Sequence, residues 1–361
     1  MSLNKSLCLA LGVTAGMLIA TNAMATDYAE SFESVSVPGD LSLAGWGGYG
    51  SYTNTEDQSS LPAGTPIAGA HTKHLSVDGW VTNTLDGTAG NAQLDMLVKV
   101  ARPDEELSGM SDTEAKFAMA IDTNGLLKCW LNNAWVALSS TAFTEGQWIR
   151  VAVIYDDDGQ RCKVSVDGNA CVTSSGFKAA TGDETNGPWY PVIRTTTAIS
   201  SLKVVGTTAL DDIKVAYGTT STPEYKDASG NPITIAKTPA TGSDVNIPLK
   251  WFDENNVATS ATTAPDSSGM TIADKYQTGM DPNGNEKFEM KSMTMTQGET
   301  VTATITVPAC NPPAGMGTVK VQTSADKSSW SEGVAPDGTT ATINLPNGDS
   351  NVTYFRMVLE K

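Results

Sequence analysis

The chain has 361 residues, and its 40 acidic against 23 basic residues give a formal net charge of −17. This excess of acids argues against a nucleic-acid partner, because a phosphate backbone is held by clustered lysines and arginines. The length is sufficient for two domains of ordinary size.

The first 25 residues have the layout of a secretory signal peptide. Lys5 precedes an apolar stretch over residues 7–20, and small residues flank Met24. The stretch is short for a bilayer span, and no later segment is apolar enough for one. We expect cleavage after Ala25 and a mature protein in the extracellular space, at the cell surface or in the periplasm, without membrane insertion.

Residues 26–218 alternate apolar and polar residues in several short segments, the pattern of half-buried strands. The clearest segments are LDMLVKV, FAMAI, WIRVAVIY and RCKVSV, and turn signals such as Asn-Gly and Asp-Gly lie between them. Helical periodicity is nearly absent. This part of the chain is therefore predicted to be an all-β sandwich or barrel.

The stretch GQWIRVAVIYDDDGQRCKVSVDG, residues 146–168, resembles the signature of laminin G-like, concanavalin-like jelly rolls. In that signature a Trp opens one strand and the next strand ends in a Val-Asp-Gly turn. YAESFES near the mature N-terminus resembles the family's first strand, and LDDIKVAYG resembles its last. The resemblance covers residues 26–218 and implies a two-sheet jelly roll that binds glycans or proteins, or that only spaces other domains.

Two groups of carboxylates are candidates for chemistry. Residues 156–158 are three consecutive aspartates between two alternating strands; because turns favour Asp and Gly, they are interpreted as a solvated hairpin tip, with calcium binding as the alternative. The resemblance also implies a structural Ca²⁺ held by acids of the first and last strands. The candidates are Glu30, Glu33, Asp211 and Asp212, with ordinary surface carboxylates as the alternative.

Catalytic patterns are missing from the sequence. Retaining glycosidases of this fold carry Glu-x-Asp-x-x-Glu on one strand, since two carboxylates must lie a short distance apart, and no such strand is present. Polysaccharide lyases of this fold need a set of His, Tyr, Arg and Gln residues. The only two histidines of the chain are His71 and His74. These two alone make a poor metal site, because metal sites need three or four ligands. No Gly-x-Ser-x-Gly elbow occurs.

Four cysteines follow residue 25, and they allow three disulfide pairings that the sequence alone does not distinguish. Export permits disulfides, and Cys162 and Cys171 flank a predicted turn, so their pairing is favoured over buried free thiols. For ligand binding, aromatic rings are good anchors. The candidates are Trp46 and Tyr49 in GWGGYGSY and Trp189 and Tyr190 in NGPWYP, with core packing as the alternative.

Residues 219–245 are rich in Thr, Ser, Pro and Gly and are predicted to be a linker. Residues 246–285 resemble a dockerin or thrombospondin type 3 calcium loop followed by a short helix. The acid-rich loop is replaced by APDSSG, which keeps only Asp266, so tight calcium binding should be lost. Residues 286–361 alternate again and predict a small C-terminal β-sandwich.

These features favour a secreted or cell-surface, non-enzymatic module that recognises a glycan or a surface protein in adhesion or matrix attachment. One structural Ca²⁺ is the only cofactor expected. The two alternatives are a polysaccharide-cleaving glycosidase or lyase on the same fold and a purely structural surface protein.

Overall fold

The structure is a computed structural model of the chain, and it divides into two compact units. The first unit comprises Met1–Ile233 and Pro248–Thr259, and the second comprises Thr234–Ile247 and Ser260–Lys361. The described residues are 8–12, 27–37, 39–54, 61–62, 64–85, 90–109, 117–131, 134–138, 141–171, 189–191, 199, 201–227, 229–262, 264–297, 300–346 and 354–360. Within these ranges, no helix has the length and apolar character needed to cross a bilayer.

The described part of the first unit contains thirteen strands and one short helix. The strands are β1 (Cys8–Gly12), β2 (Tyr28–Glu30), β3 (Trp46–Asn54), β4 (Lys73–Thr84), β5 (Ala92–Lys99), β6 (Phe117–Ile121), β7 (Leu127–Leu131), β8 (Ala134–Ala137), β9 (Trp148–Asp156), β10 (Arg161–Val166), β11 (Asn169–Ala170), β12 (Tyr190–Pro191) and β13 (Ser201–Tyr217). A 3-10 turn at Leu41–Ala44 precedes β3, and α1 spans Leu249–Glu254.

Strand β13 is shared by two antiparallel sheets. Its first half pairs with β4 and β1, which gives a front sheet in the order β3-β4-β13-β1-β6-β7-β8. Its second half pairs with β5 and β2, which gives a back sheet in the order β2-β13-β5-β9-β10, with β11 and β12 on β10. This arrangement confirms the predicted all-β, two-sheet sandwich.

Residues inside the predicted signal peptide supply one strand of the front sheet. β1 (Cys8–Gly12) pairs with Ser201–Val205 of β13 on one side and with β6 on the other. The predicted cleavage site after Ala25 lies outside the described residues. Cleavage there would remove β1 from between β13 and β6.

The apolar faces of the two sheets form one filled core. Representative side chains that are at most 3% exposed are Phe32, Leu75, Met96, Phe117, Val151, Val164 and Leu210. An apolar cavity of about 20 Å³ is lined by Met96, Met119 and Leu210, among others. Since ligand pockets for small molecules are far larger, this cavity is too small to hold a ligand.

The three aspartates form the turn between β9 and β10, as predicted. Tyr155 Oη donates to Asp157 Oδ1 at 2.6 Å, and Arg161 Nε donates to Asp156 Oδ2 at 2.8 Å. Gly159 N also donates to Asp156 Oδ1 at 3.0 Å. The carboxylates thus hold the hairpin tip together, which confirms the predicted hairpin.

The predicted disulfide is not formed. Cys162 and Cys171 are buried thiols outside any disulfide, and Cys310 is a half-buried thiol. The register of the β10–β11 hairpin explains this, because Ser165 faces Ala170 and the Cys171 amide bonds to the Val164 carbonyl. Cys171 therefore lies diagonally from Cys162, a separation that a disulfide spans poorly.

Much of the predicted linker is folded onto the back sheet. Tyr225 is buried, its ring lies 4.4 Å from Arg150 Cζ, and its hydroxyl donates to Asp253 Oδ2 at 2.7 Å. Asp253 of α1 also accepts a 2.6 Å hydrogen bond from Ser165 and lies 3.1 Å from Lys163 Nζ. A buried network of charged and hydroxyl groups thus orders residues that composition alone assigns to a linker.

The second unit contains β14 (Thr234–Lys237), which pairs with β15 (Val245–Pro248), and α2 (Ile272–Thr278). A capping box between Thr271 and Asp274 begins α2, and Gly279 ends it at φ 63°. A Cβ on Gly279 would lie 1.9 Å from the Asn311 carbonyl oxygen, so only glycine fits there. The predicted short helix is therefore present.

The described part of the small β-sandwich in the second unit has five strands in two sheets. They are β16 (Ser292–Gln297), β17 (Thr300–Thr306), β18 (Thr318–Ser324), β19 (Thr340–Pro346) and β20 (Tyr354–Glu360). One sheet has the order β16-β17-β19, and the other pairs β18 with β20. A core that includes Ile305, Val321 and Ile343 joins the sheets face to face.

Candidate functional site

A β-bulge in β13 turns two neighbouring aspartates into the interior. The register of β13 against β5 shifts between Asp211 and Lys214, and Asp212 has a φ of 48°. In a regular strand consecutive side chains point to opposite faces. Here both Asp211 and Asp212 are 0% exposed, as expected when a bulge re-aims a side chain.

His71, just before β4, completes this cluster. Its Nδ1 lies 3.3 Å from Asp212 Oδ2 and 3.8 Å from Asp211 Oδ2, and its Nε2 lies 3.0 Å from Thr65 Oγ1. One donor atom from each of the three side chains lies within 4.8 Å of the others. This spacing suits three ligands of one metal ion.

Each of the three cluster residues keeps a buried polar atom without a hydrogen-bond partner among the described residues: His71 Nδ1, Asp211 Oδ2 and Asp212 Oδ1. The other oxygens are engaged, because Asp211 Oδ1 accepts from the Asp212 amide and Asp212 Oδ2 accepts from the Ile67 amide. Buried polar groups are usually satisfied. Three unsatisfied polar atoms on three neighbouring buried side chains fit a bound cation.

The electrostatics of the cluster lead to the same inference. Burial, and then the neighbouring Asp212, raise the pKa of Asp211 to about 8. Burial also raises the pKa of Asp212, and the neighbouring Asp212 carboxylate raises the pKa of His71. Two buried carboxylates therefore resist ionising together unless positive charge lies beside them. A divalent cation would supply that charge.

Only two of the four residues predicted to bind a metal lie in the cluster. Asp211 and Asp212 belong to the cluster, but the carboxylates of Glu30 and Glu33 have other partners. Glu30 Oε1 accepts from the Phe32 amide at 2.7 Å, and Glu33 accepts from both amides of Thr72 and Lys73. Glu33 thus fixes the segment next to His71, and both glutamates act on Asp211 only through their charge.

Sequence reasoning missed His71 as a partner of Asp211 and Asp212. It was paired instead with His74, whose Nε2 lies 3.1 Å from Ser76 Oγ and whose ring meets Trp148 edge to face. A signal in the sequence was available, because His71 lies just before β4, an alternating strand of the front sheet. The pairing of that strand with β13 supplies the missing link.

The four predicted aromatic binding residues do not share one surface. Trp46 is 2% exposed and packs near Phe32, and Tyr190 is 2% exposed and donates to the Cys171 carbonyl. Trp189 lies 4.5 Å beneath the Arg161 guanidinium. Of the four, Tyr49 alone is strongly exposed, at 64%. Core packing, the alternative considered for each ring, holds for Trp46 and Tyr190.

Tyr49 pairs instead with Trp80, which the sequence analysis did not select. The two rings meet edge to face at 5.7 Å on the outer surface of the front sheet, and Trp80 is 37% exposed. Gly48 makes this possible, since it has φ 116° and a Cβ there would lie 2.8 Å from the Trp80 ring. Trp80 falls on the opposite parity from Leu75, Val77 and Val81, which was the available signal.

The outer face of the front sheet also carries polar neighbours of the aromatic pair. Trp80 lies opposite Val205 in the β4–β13 ladder, and Thr82 lies opposite Lys203. Asp78, two residues before Trp80, is exposed on the same face. The pair together with Asp78, Thr82 and Lys203 is called the aromatic platform below. It offers ring faces and hydrogen-bonding groups side by side.

In the segment predicted to be a degenerate calcium loop, the positive charge comes from a lysine. Lys275 of α2 is 1% exposed, and its Nζ lies 2.5 Å from Asp266 Oδ2, 3.0 Å from the Pro282 carbonyl and 2.6 Å from the Gly284 carbonyl. The hydrogen bond from Lys275, with others from Ser268, lowers the pKa of Asp266 to about 2. An ammonium group thus sits among oxygens of the kind that coordinate calcium.

No protein-family model matches the chain, and no curated protein matches it. Among solved structures, a sialidase is 9% identical over 55% of this chain and 19% of its own length, with a TM-score of 0.34. A carbohydrate-binding module CBM66 from Bacillus subtilis is 14% identical over 48% of this chain and 96% of its own, with a TM-score of 0.29. Domain 4 of a GH43 extracellular arabinanase from Geobacillus stearothermophilus, in complex with arabinotriose, is 14% identical over 52% and 89%, with a TM-score of 0.29. Similarities of this size assign neither a family nor a ligand to the chain.

Proposed function

We propose that this chain is an exported, non-catalytic binding module that recognises a glycan through the aromatic platform of its front sheet. The exposed Tyr49–Trp80 pair, for which Gly48 leaves the necessary space, carries the proposal. Sugar rings stack on exposed aromatic faces, and a rigid pair presents them at low entropic cost. The hydroxyl and charged groups of Thr82, Lys203 and Asp78 would hydrogen-bond the sugar.

The buried cluster supports binding rather than catalysis. His71, Asp211 and Asp212 are at most 8% exposed, so a polysaccharide cannot reach their reactive atoms. We propose that they hold a structural divalent cation that fixes the loop before β4 to the bulge of β13. Two carboxylates suit Ca²⁺ or Mn²⁺, whereas the imidazole nitrogen suits Zn²⁺, so each ion needs its own titration.

The function is tested by applying the chain to a glycan array and to insoluble polysaccharides. We expect binding to at least one glycan, and we expect Tyr49→Ala with Trp80→Ala to abolish it. Tyr354→Ala is the matched control, since Tyr354 is an exposed ring in the second unit and should not affect binding. Blank arrays would contradict the proposal, and release of reducing ends or unsaturated products would establish the enzymatic alternative.

A further inference from the structure

The small β-sandwich of the second unit is open along one side. It stacks a three-stranded sheet on a two-stranded one, so one strand of the larger sheet has no strand facing it. Exposure identifies this strand as β16. Met293 and Met295 lie opposite Ile305 and Ala303 in the ladder and therefore share their core-facing side, yet both methionines are 49% exposed.

In the two-stranded sheet, burial of the core-facing side chains decreases from β18 to β20. In β18 the core-facing Val319 and Val321 are at most 5% exposed. Their partners in β20, Leu359 and Met357, are only partly buried. The uncovered apolar surface thus lies on the side of the sandwich where β16 and β20 are the outermost strands.

Among the described residues, strand β20 also has no backbone partner along its edge on this side. Val321 exchanges both of its backbone hydrogen bonds with Val334, so its N–H and C=O point away from β20. Met357 lies opposite Val321, and by strand geometry its own N–H and C=O point away from β18. Phe355 and Leu359 have the same parity, and no described residue pairs with any of the three on that edge.

We propose that this opening is a docking groove for an extended strand of another protein, which pairs with β20 and lays alternate apolar side chains on Met293 and Met295. Neighbouring strands are about 4.8 Å apart and facing sheets about 10 Å, so a strand added beside β20 lies over β16. A helix would leave the amides of Phe355, Met357 and Leu359 without acceptors. Methionine adapts to varied apolar partners.

The edge of β20 lacks the features that normally prevent such pairing. Native edges are blunted by proline, by bulges or by charges pointing inward. The core-facing residues of β20 are Phe355, Met357 and Leu359, and its ladder with β18 runs without a register shift over all seven pairs. The charged Arg356 and Glu360 lie on the other face, where they bond to Gln322 and Lys320. Strand addition to an open edge is an established mode of peptide recognition.

The test uses the full chain and a fluorescent synthetic peptide of alternating Val and Thr, followed by fluorescence anisotropy and by hydrogen exchange. We expect saturable binding that slows amide exchange at Phe355, Met357 and Leu359. A peptide of the same sequence with alternate backbone nitrogens methylated should not bind. Replacing Met293 and Met295 by Lys should weaken binding by at least about tenfold. The peptide would lose apolar contacts, and the lysine charges would have to be buried beneath it.

The matched control replaces Thr294 and Thr296 by Lys, on the opposite and equally exposed face of β16, and should leave binding unchanged. Circular dichroism and melting curves of both variants show whether the fold is retained. Absent binding, or equal loss in the two variants, would overturn the proposal. So would a chain that dimerises through this groove, with β20 amides protected before peptide is added and monomers formed by the methionine variant, because the occupant would then be a second copy.

Discussion

Arg150 and Asp95 form a buried, bidentate ion pair on the back sheet, with Nε–Oδ1 and Nη2–Oδ2 distances of 2.8 and 2.6 Å. The remaining donors of Arg150 reach the carbonyls of Gly64 and Glu224, and its guanidinium covers the Tyr225 ring. One side chain therefore joins β9, β5, a loop and the segment after β13. The conformation of residues 219–227 therefore depends on the charged side chain of Arg150 in the back sheet.

Replacing Arg150 by Met should lower the free energy of unfolding by about 3–5 kcal/mol, because Asp95 would remain buried without its partner. Urea unfolding of the two proteins measures this. Arg161→Met is the control, since Arg161 binds Asp156 at the hairpin tip and is partly exposed, and it should cost less than about 1 kcal/mol. A similar loss of unfolding free energy in both variants would contradict the conclusion that the buried Arg150–Asp95 pair matters more than an exposed one.

The acid–histidine cluster predicts a pH dependence that a cation reverses. Because the folded pKa of Asp211 is raised to about 8, the folded state without a cation holds a proton that the unfolded chain releases above about pH 4. In chelator, stability should therefore fall as pH rises from about 4 to 8. Ca²⁺, Zn²⁺ or Mn²⁺ should raise the melting temperature, and more at pH 8 than at pH 5.

Asp211→Asn should remove both the pH-dependent loss and most of the metal response, whereas Asp156→Asn at the hairpin tip should change neither. Differential scanning fluorimetry with each ion separately measures the effect. A wild-type melting temperature that is identical in chelator and in all three ions would exclude the proposed cation site.

Lys275 should be essential for the loop that it fills. Lys275→Met leaves the Pro282 and Gly284 carbonyls without a donor, and we expect a loss of about 1–3 kcal/mol. Since the pKa of Asp266 is lowered to about 2, the stabilisation is complete above about pH 4 and is lost as pH falls through 2. Asp266→Asn should abolish that acid-induced loss, which calorimetry between pH 2 and 5 would detect.

The cysteines should behave as four thiols. Burial raises the pKa of Cys171 to about 12 and that of Cys310 to about 11, so both should react slowly with thiol reagents at pH 8. Cys310 should react first in the native protein, because it is half-buried while the other three are buried. Mass spectrometry after alkylation in denaturant should find four labelled cysteines after residue 25, and a loss of two labels would indicate a disulfide.

The fold could be predicted because it follows from local sequence patterns. The site could be predicted only in part because it depends on pairing between distant strands. The β9–β10 hairpin was predictable because alternation and turn chemistry both act within residues 148–166. Tyr49 and Trp46 could not be separated, since a bulge between Gly48 and Gly50 resets which face each ring takes. His71 joins Asp211 only through the β4–β13 ladder, across about 140 residues, and no local pattern encodes that register.

Because β13 belongs to both sheets, it determines how the first unit unfolds. Its residues contribute ladder hydrogen bonds to the front sheet up to Thr208 and to the back sheet from Ala209. Neither sheet can detach while the other keeps its pairing intact along this one strand. The sandwich should therefore open as a single cooperative unit. The aromatic platform and the cation cluster, which both include residues of β13, should be lost in the same event.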